Sequence, residues 1–112
     1  MAENIKLVVY PTKDMKASKA LFQAFLGVEP YADSEYYVGY KAGNLEVGLV
    51  PGGQEEIIAY IDTDDIKASL KALVDAGATV HQEPKDVAEG LLVAQVKDAS
   101  GNVLGLRQQS TK

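Results

Sequence analysis

At 112 residues the chain is sized for one domain, too short to carry separate cofactor and substrate domains. Its 46% hydrophobic and 24% charged residues are the usage of a folded globular protein and exclude a disordered one. Sixteen acidic against eleven basic residues give a net charge of −5, which repels phosphate backbones and argues against nucleic acid and anionic membrane as partners.

The absence of cysteine excludes disulfides, thiolate metal sites and cysteine nucleophiles, and fits a reducing compartment. A single histidine, His81, leaves little room for histidine chemistry. The first residues show no basic stretch followed by an apolar one, and no apolar run reaches the ~18 residues of a membrane span. The expectation is a cytoplasmic protein.

Taken in chain order, Ile5 to Tyr10 is a β-branched apolar run and predicts a strand. Asp14 to Leu26 predicts a helix, with Met15, Phe22 and either Phe25 or Leu26 on its buried side and Gly27 ending it. A short strand around Val28 to Tyr31 is weakly signalled. Tyr36 to Tyr40 and Leu45 to Val50 read as strands joined by Lys41-Ala42-Gly43-Asn44. Pro51-Gly52-Gly53-Gln54 is the clearest breaker cluster and divides the chain.

Ile57 to Asp62 predicts the next strand. Asp64 or Asp65 then caps a helix whose Ile66, Leu70, Leu73 and Val74 recur at helical spacing, with Gly77 stopping it. Val80 opens a short extended piece limited by Pro84, and Gln82 to Gly90 reads as a solvated loop. Leu91 to Lys97 and Val103 to Gln108 form a closing hairpin turned by Asp98-Ala99-Ser100-Gly101-Asn102, and Ser110 to Lys112 are expected to fray.

The two halves repeat each other. Thr12-Lys13-Asp14-Met15-Lys16-Ala17-Ser18 matches Thr63-Asp64-Asp65-Ile66-Lys67-Ala68-Ser69, each following a strand and opening a helix. Gly43-Asn44-Leu45-Glu46-Val47-Gly48-Leu49 is echoed by Gly101-Asn102-Val103-Leu104-Gly105-Leu106. Two echoes in the same order indicate an internal duplication of a β-α-β-β-β module.

Two such modules, with Thr63-Asp64-Asp65-Ile66, the helix end Ala76-Gly77-Ala78 and Asp98-Ala99-Ser100-Gly101-Asn102 before an apolar strand, resemble the vicinal oxygen chelate superfamily of glyoxalase I, extradiol dioxygenases and bleomycin resistance proteins. The resemblance implies an α+β fold: one domain over residues 1–112, of two tandem β-α-β-β-β modules (about 1–51 and 54–109). These would form a curled mixed sheet around a cleft, with the helices on the convex side. It also implies a homodimer. The family's enzymes hold a divalent metal through residues on the first and last strands of each module. Those positions fall here on Leu7, Gly48, Ile58 and Gly105, which offer no side-chain donor, whereas a divalent site needs about three or more. The expectation is therefore no metal and no cofactor, with no catalytic residue named.

Strand alternation selects what faces the cleft. With Leu45, Val47 and Leu49 toward the helix, Glu46, Gly48 and Val50 face the other way. The same parity places Tyr60 and Asp62, then Val103, Gly105 and Arg107, in the cleft, and sends Leu104 and Leu106 to the core. Tyr37, Gly39 and Gln95 join the cleft set, with Tyr36, Val38 and Tyr40 inward. The candidate ligand-binding residues are thus Tyr37, Glu46, Gly48, Tyr60, Asp62, Gln95, Gly105 and Arg107. Each has an ordinary alternative. The carboxylates can be solvated, the tyrosines can cover core edges, and Arg107 can pair with Glu46 or Asp62. Gly48 and Gly105 mark either a close backbone approach or a cleft widened for an organic ligand. His81 reads as an ordinary polar residue. Ser18 and Ser69 lie in helices as packing or capping groups, and no dinucleotide, Walker or nucleophile-elbow motif occurs.

Two functions are in view. One is a metal-free protein that sequesters a small organic molecule, aromatic or cationic, in a cleft. The alternative is a metal-dependent glyoxalase-type lyase or isomerase, or a dioxygenase, drawing its ligands from Glu46, Asp62 and His81. A third possibility is a domain whose partner is another protein.

Overall fold

The computed structural model describes residues 4–52 and 56–109. Gly53 and Gln54 of the breaker cluster and the tail Ser110 to Lys112 lie outside the described residues. The chain divides into two compact units, Lys6–Ile58 and a second built from Ala59 onward.

The first unit runs β1 (Ile5–Thr12), α1 (Met15–Leu26), β2 (Ala32–Asp33), β3 (Val38–Ala42) and β4 (Leu45–Pro51). Its strands are ordered β2-β3-β4-β1, with β1 parallel to β4 and the other pairings antiparallel. The second runs β5 (Ile58–Asp62), α2 (Ile66–Asp75), β6 (Thr79–Ala88), β7 (Leu91–Lys97) and β8 (Val103–Gln108), ordered β5-β8-β7-β6. Here β5 is parallel to β8, and the rest are antiparallel. Each module is thus the β-α-β-β-β unit that the repeat predicts, and the fold is α+β with mixed strand pairing. No helix among the described residues is long and apolar enough to cross a membrane.

One device builds both strand-to-helix turns and accounts for the sequence repeat. Asp14 and Asp65 sit in extended backbone as N-caps, each carboxylate accepting from the backbone N–H three residues on, at Ala17 and Ala68 (3.1 Å in both). Two residues earlier, Thr12 Oγ1 lies 2.5 Å from Ser18 Oγ, and Thr63 Oγ1 2.6 Å from Ser69 Oγ. The same threonine oxygens accept from the backbone N–H of Asp14 and Asp65. The serines are therefore structural. At the other end of α1, Gly27 adopts φ 73°, the left-handed conformation that closes a helix.

Each helix lays its apolar stripe on its own sheet. In the first module Tyr10, Met15, Phe22, Leu26 and Val28 pack against Val38, Tyr40, Val47 and Leu49. Tyr40 is fully buried, and its hydroxyl donates to the Lys19 carbonyl at 2.9 Å, so no polar atom is stranded there. In the second module Ile66, Leu70 and Leu73 cover Ala94, Val96 and Leu106.

One alternative left open is decided, and three expectations are corrected. Leu26 rather than Phe25 faces the core of the first module, and Phe25 is 80% exposed. Tyr36 precedes β3 and is exposed rather than inward. Leu104 has the parity of Leu106 but is 45% exposed, outside the cluster that the α2 stripe covers. Gln82 to Ala88 belongs to β6, an edge strand whose register shifts between Val80 and Ala88 let it carry Pro84 and its charges.

The paired caps give a direct test. Asp14→Ala and Asp65→Ala should each lower unfolding free energy by about 1 kcal/mol in urea titration. The two effects should add, since the caps belong to separate units.

Candidate functional site

In each module the sheet face opposite the helix carries the candidate residues. In the first, the inward run Val38, Tyr40, Val47, Leu49 leaves Gly39, Lys41, Glu46 and Gly48 on the other side. Gly39 and Gly48 are direct partners across β3 and β4, and Lys41 is the partner of Glu46. The two glycines form a trough one side chain deep, and two tyrosines lie in it. A Cβ on Gly39 would stand 2.9 Å from the end of the Tyr31 ring. One on Gly48 would stand 2.6 Å from the Tyr37 hydroxyl. The Tyr31 hydroxyl donates to Glu46 Oε1 at 2.6 Å, and Lys41 Nζ sits 5.1 Å from the Tyr31 ring centre. Loss of water around the Tyr31 phenol raises its pKa. Its bond to the Glu46 carboxylate and the neighbouring Tyr37 hydroxyl push the same way, because all three disfavour a phenolate.

The second module repeats the motif with one tyrosine. Tyr60 and Gln95 both flank Gly105 in register, on β5 and β7. A Cβ on Gly105 would lie 2.2 Å from Tyr60 Cδ1 and 2.8 Å from Cγ, so the ring's base occupies that space. Gln95 Nε2 donates to the Tyr60 hydroxyl at 2.9 Å. Beside them Asp62 and Arg107 are register partners, joined by Nε–Oδ1 at 2.7 Å and Nη2–Oδ2 at 3.4 Å. Burial raises the Tyr60 phenol, against the opposing pull of the Gln95 donor and the Arg107 charge. Tyr60 is only 8% exposed and the Arg107 side chain 11%, whereas Tyr31 is 50% exposed.

The sequence-derived set therefore falls into two groups. Tyr37, Glu46 and Gly48 share one face of the first module; Tyr60, Asp62, Gln95, Gly105 and Arg107 share one face of the second. Gly48 and Gly105 have tyrosine side chains against them and leave no open space. Arg107 pairs with Asp62. Sequence reasoning missed Tyr31, since it immediately precedes a strand of only two residues. The signal that points to it is Gly39, a strand glycine that needs an aromatic cover.

The four positions on which the family resemblance would put metal donors do not fit an ion. Leu7 and Ile58 are buried hydrocarbon, and Gly48 and Gly105 lie under Tyr37 and Tyr60. Glu46 and Asp62 are engaged by Tyr31 and Arg107, and His81 is an exposed residue of β6. Among the described residues no three His, Cys, Asp or Glu come together in a metal-binding group.

This architecture, two tandem modules each with its helix on one face of a mixed sheet, is that of a known class. The pattern of the Glyoxalase/Bleomycin resistance protein/Dioxygenase superfamily matches residues 4–106, and the chain belongs to that superfamily. No curated protein matches it in sequence. Among solved structures it is similar to a hypothetical protein from Bacillus halodurans C-125, with a TM-score of 0.80 and 14% identity over 100% of this chain and 98% of that one. It is also similar to a methylmalonyl-CoA epimerase from Streptomyces coelicolor (TM-score 0.74, 15% identity, 97% and 99% coverage). A third likeness is to the Mn(II)-bound glyoxalase from Novosphingobium aromaticivorans (TM-score 0.73, 20% identity). It spans 95% of this chain but 38% of that one. At these identities the likeness is one of fold.

The seating of the rings reverses an ordinary rule. Alanine normally stabilises a strand interior relative to glycine by about 0.5–1 kcal/mol. Gly105→Ala should instead destabilise by about 1–3 kcal/mol through overpacking. In a Tyr60→Ala background the same change should turn neutral or stabilising, as measured by chemical denaturation. Alkaline titration gives a second check. The phenols of Tyr31, Tyr40 and Tyr60 are raised, so the folded state holds protons that the unfolded state releases. Their contribution to stability is intact below the ordinary tyrosine pKa of about 10 and falls as pH rises above it. Phenolate absorbance should show these three ionising later than free tyrosine.

Proposed function

We propose that the chain is a metal-free binding member of its superfamily that holds a small aromatic molecule against the tyrosine-bearing face of its first module. The observation that supports this most is the replacement of metal donors by Leu7, Ile58 and two glycines lying under Tyr37 and Tyr60. The first module is favoured because Tyr31 keeps half its surface exposed. The ring on the second module's face, Tyr60, is buried.

A ring stacked on Tyr31 gains about 0.5–1.5 kcal/mol beyond its buried area. Glu46 supplies an acceptor for a donor on the ligand, and its charge favours cationic or neutral compounds over anions. That preference is modest because Lys41 sits beside Glu46 and over the Tyr31 ring. The Mn(II) ion and the coenzyme A compound of the structural neighbours belong to those proteins. The enzyme alternative requires this chain to assemble three donors that its described residues do not bring together.

The chain has six tyrosines and no tryptophan, so its ultraviolet emission comes from tyrosine alone, and the part lost in Tyr31→Ala belongs to the site. Titration with benzyl alcohol, benzylamine and benzoate in the presence of chelator should saturate with the first two and be weakest with the third. Tyr31→Ala should weaken the neutral compound up to about tenfold. Glu46→Gln should weaken benzylamine alone. A tightly bound equivalent of manganese, zinc, nickel or iron in protein purified without chelator, with no saturable response to any of the three compounds, contradicts the proposal.

A further inference from the structure

The first module places one of its own cations on the face it offers. Lys41 leaves β3 on the same side as Gly39, as the cross-strand partner of Glu46 on β4, and its ammonium stands over the Tyr31 ring, 5.1 Å from the centre. The Tyr31 hydroxyl in turn donates to Glu46. A carboxylate that draws the phenolic proton also enriches the ring in negative charge, so the pull of the ring on a cation and the pull of the carboxylate reinforce each other. The second module repeats the lysine without this setting. With Gly48 and Gly105 matched, Lys41 corresponds to Lys97 and Glu46 to Val103, and these two are likewise cross-strand partners. A lysine opposite a valine completes that hairpin, so the fold itself does not require the carboxylate. Lys41 is exposed and sits on a flexible stem, where water competes for its ammonium, so it leaves its place readily.

We propose that Lys41 is the residue that sets which ligand charge this face accepts. Its ammonium holds the place that the cation of an aromatic ammonium compound would take, over Tyr31 and opposite Glu46, and such a ligand binds by displacing it. The inference rests on the reading that the tyrosine-bearing face of the first module is the binding face. It explains why a face with a carboxylate and two phenols prefers cations only modestly: the ligand's cation replaces one that is already there, and the gain is a difference between two similar attractions. A neutral ring brings no second cation to the place. An anion is drawn by Lys41 and repelled by Glu46. Neutralising Lys41 removes the internal competitor, and the full attraction of ring and carboxylate then falls to the ligand.

The test titrates the full chain with benzylamine, benzyl alcohol and benzoate and reads the ratio of the benzyl alcohol to the benzylamine dissociation constant. Lys41→Met should raise that ratio two- to fivefold, roughly, as expected for an exposed cation at a ring face, and should weaken benzoate. Lys41→Arg keeps the charge and should leave the ratio near that of wild type. So should Lys16→Met, which removes an equal charge from an exposed position of α1, on the other side of the sheet. Proton NMR of wild type gives a second reading. The Lys41 methylene next to the ammonium should lie upfield through the Tyr31 ring current and return to the ordinary lysine position as benzylamine saturates. A ratio that Lys41→Met leaves unchanged, or that Lys16→Met raises as much, overturns the role of Lys41 while wild type still binds. A Lys41 signal that is ordinary from the outset overturns it too. Wild type that responds to none of the three compounds overturns the binding reading itself, and this inference with it.

Discussion

A glycine inside a strand leaves out one side chain's volume on one face of the sheet, and something must fill it or water will. Gly39, Gly48 and Gly105 leave that volume on the faces turned away from the helices, and Tyr31, Tyr37 and Tyr60 fill it. The rest of each face follows from this seating. A ring laid against the backbone brings its hydroxyl to a fixed place, where a polar partner is needed. Glu46 meets Tyr31, and Gln95 meets Tyr60. Gly48 and Gly105, two of the positions where the family resemblance would put metal donors, thereby become part of a packed, hydrogen-bonded aromatic surface.

The two modules use the same scaffold for different ends. Threonine, aspartate and serine at matched positions build both helix starts with nearly identical geometry. The faces then diverge. In the first module the glycine trough is two residues wide, and one of its two tyrosines, Tyr31, stays half-exposed beside a carboxylate and a lysine. In the second a single glycine takes one buried ring, and the neighbouring carboxylate is closed by Arg107. The helices diverge as well: Lys71, Ala72, Asp75 and Ala76 are exposed at the end of α2, where the matching residues of α1 are Ala20, Leu21, Ala24 and Phe25.

Much of this is legible in the sequence, for physical reasons. Asp14 and Gly27 bracket α1 because caps are local chemistry, and strand parity assigns Tyr60, Asp62, Gln95 and Arg107 to one face because alternation is built into the backbone. Other features depend on distance in the chain. Parity gives the side on which Leu104 points but not how far the α2 stripe extends along β8. Pro84 and a run of charges conceal β6, because an edge strand tolerates both. Tyr31 is invisible to periodicity, since it lies beside a two-residue strand and its role is set by Gly39, eight positions later. The meaning of Gly48 and Gly105, space for a ligand or room for a ring, rests on tyrosines from other strands and loops.

The central claim is that tyrosine rings rest directly on strand glycines. Proton NMR tests it without mutation, since a proton beneath an aromatic face is shifted upfield. The Hα protons of Gly48 and Gly105 should resonate upfield of ordinary strand glycines and show strong Overhauser contacts to the ring protons of Tyr37 and Tyr60. Ordinary glycine shifts with no such contacts would mean that the rings stand elsewhere and that the space above these glycines is open.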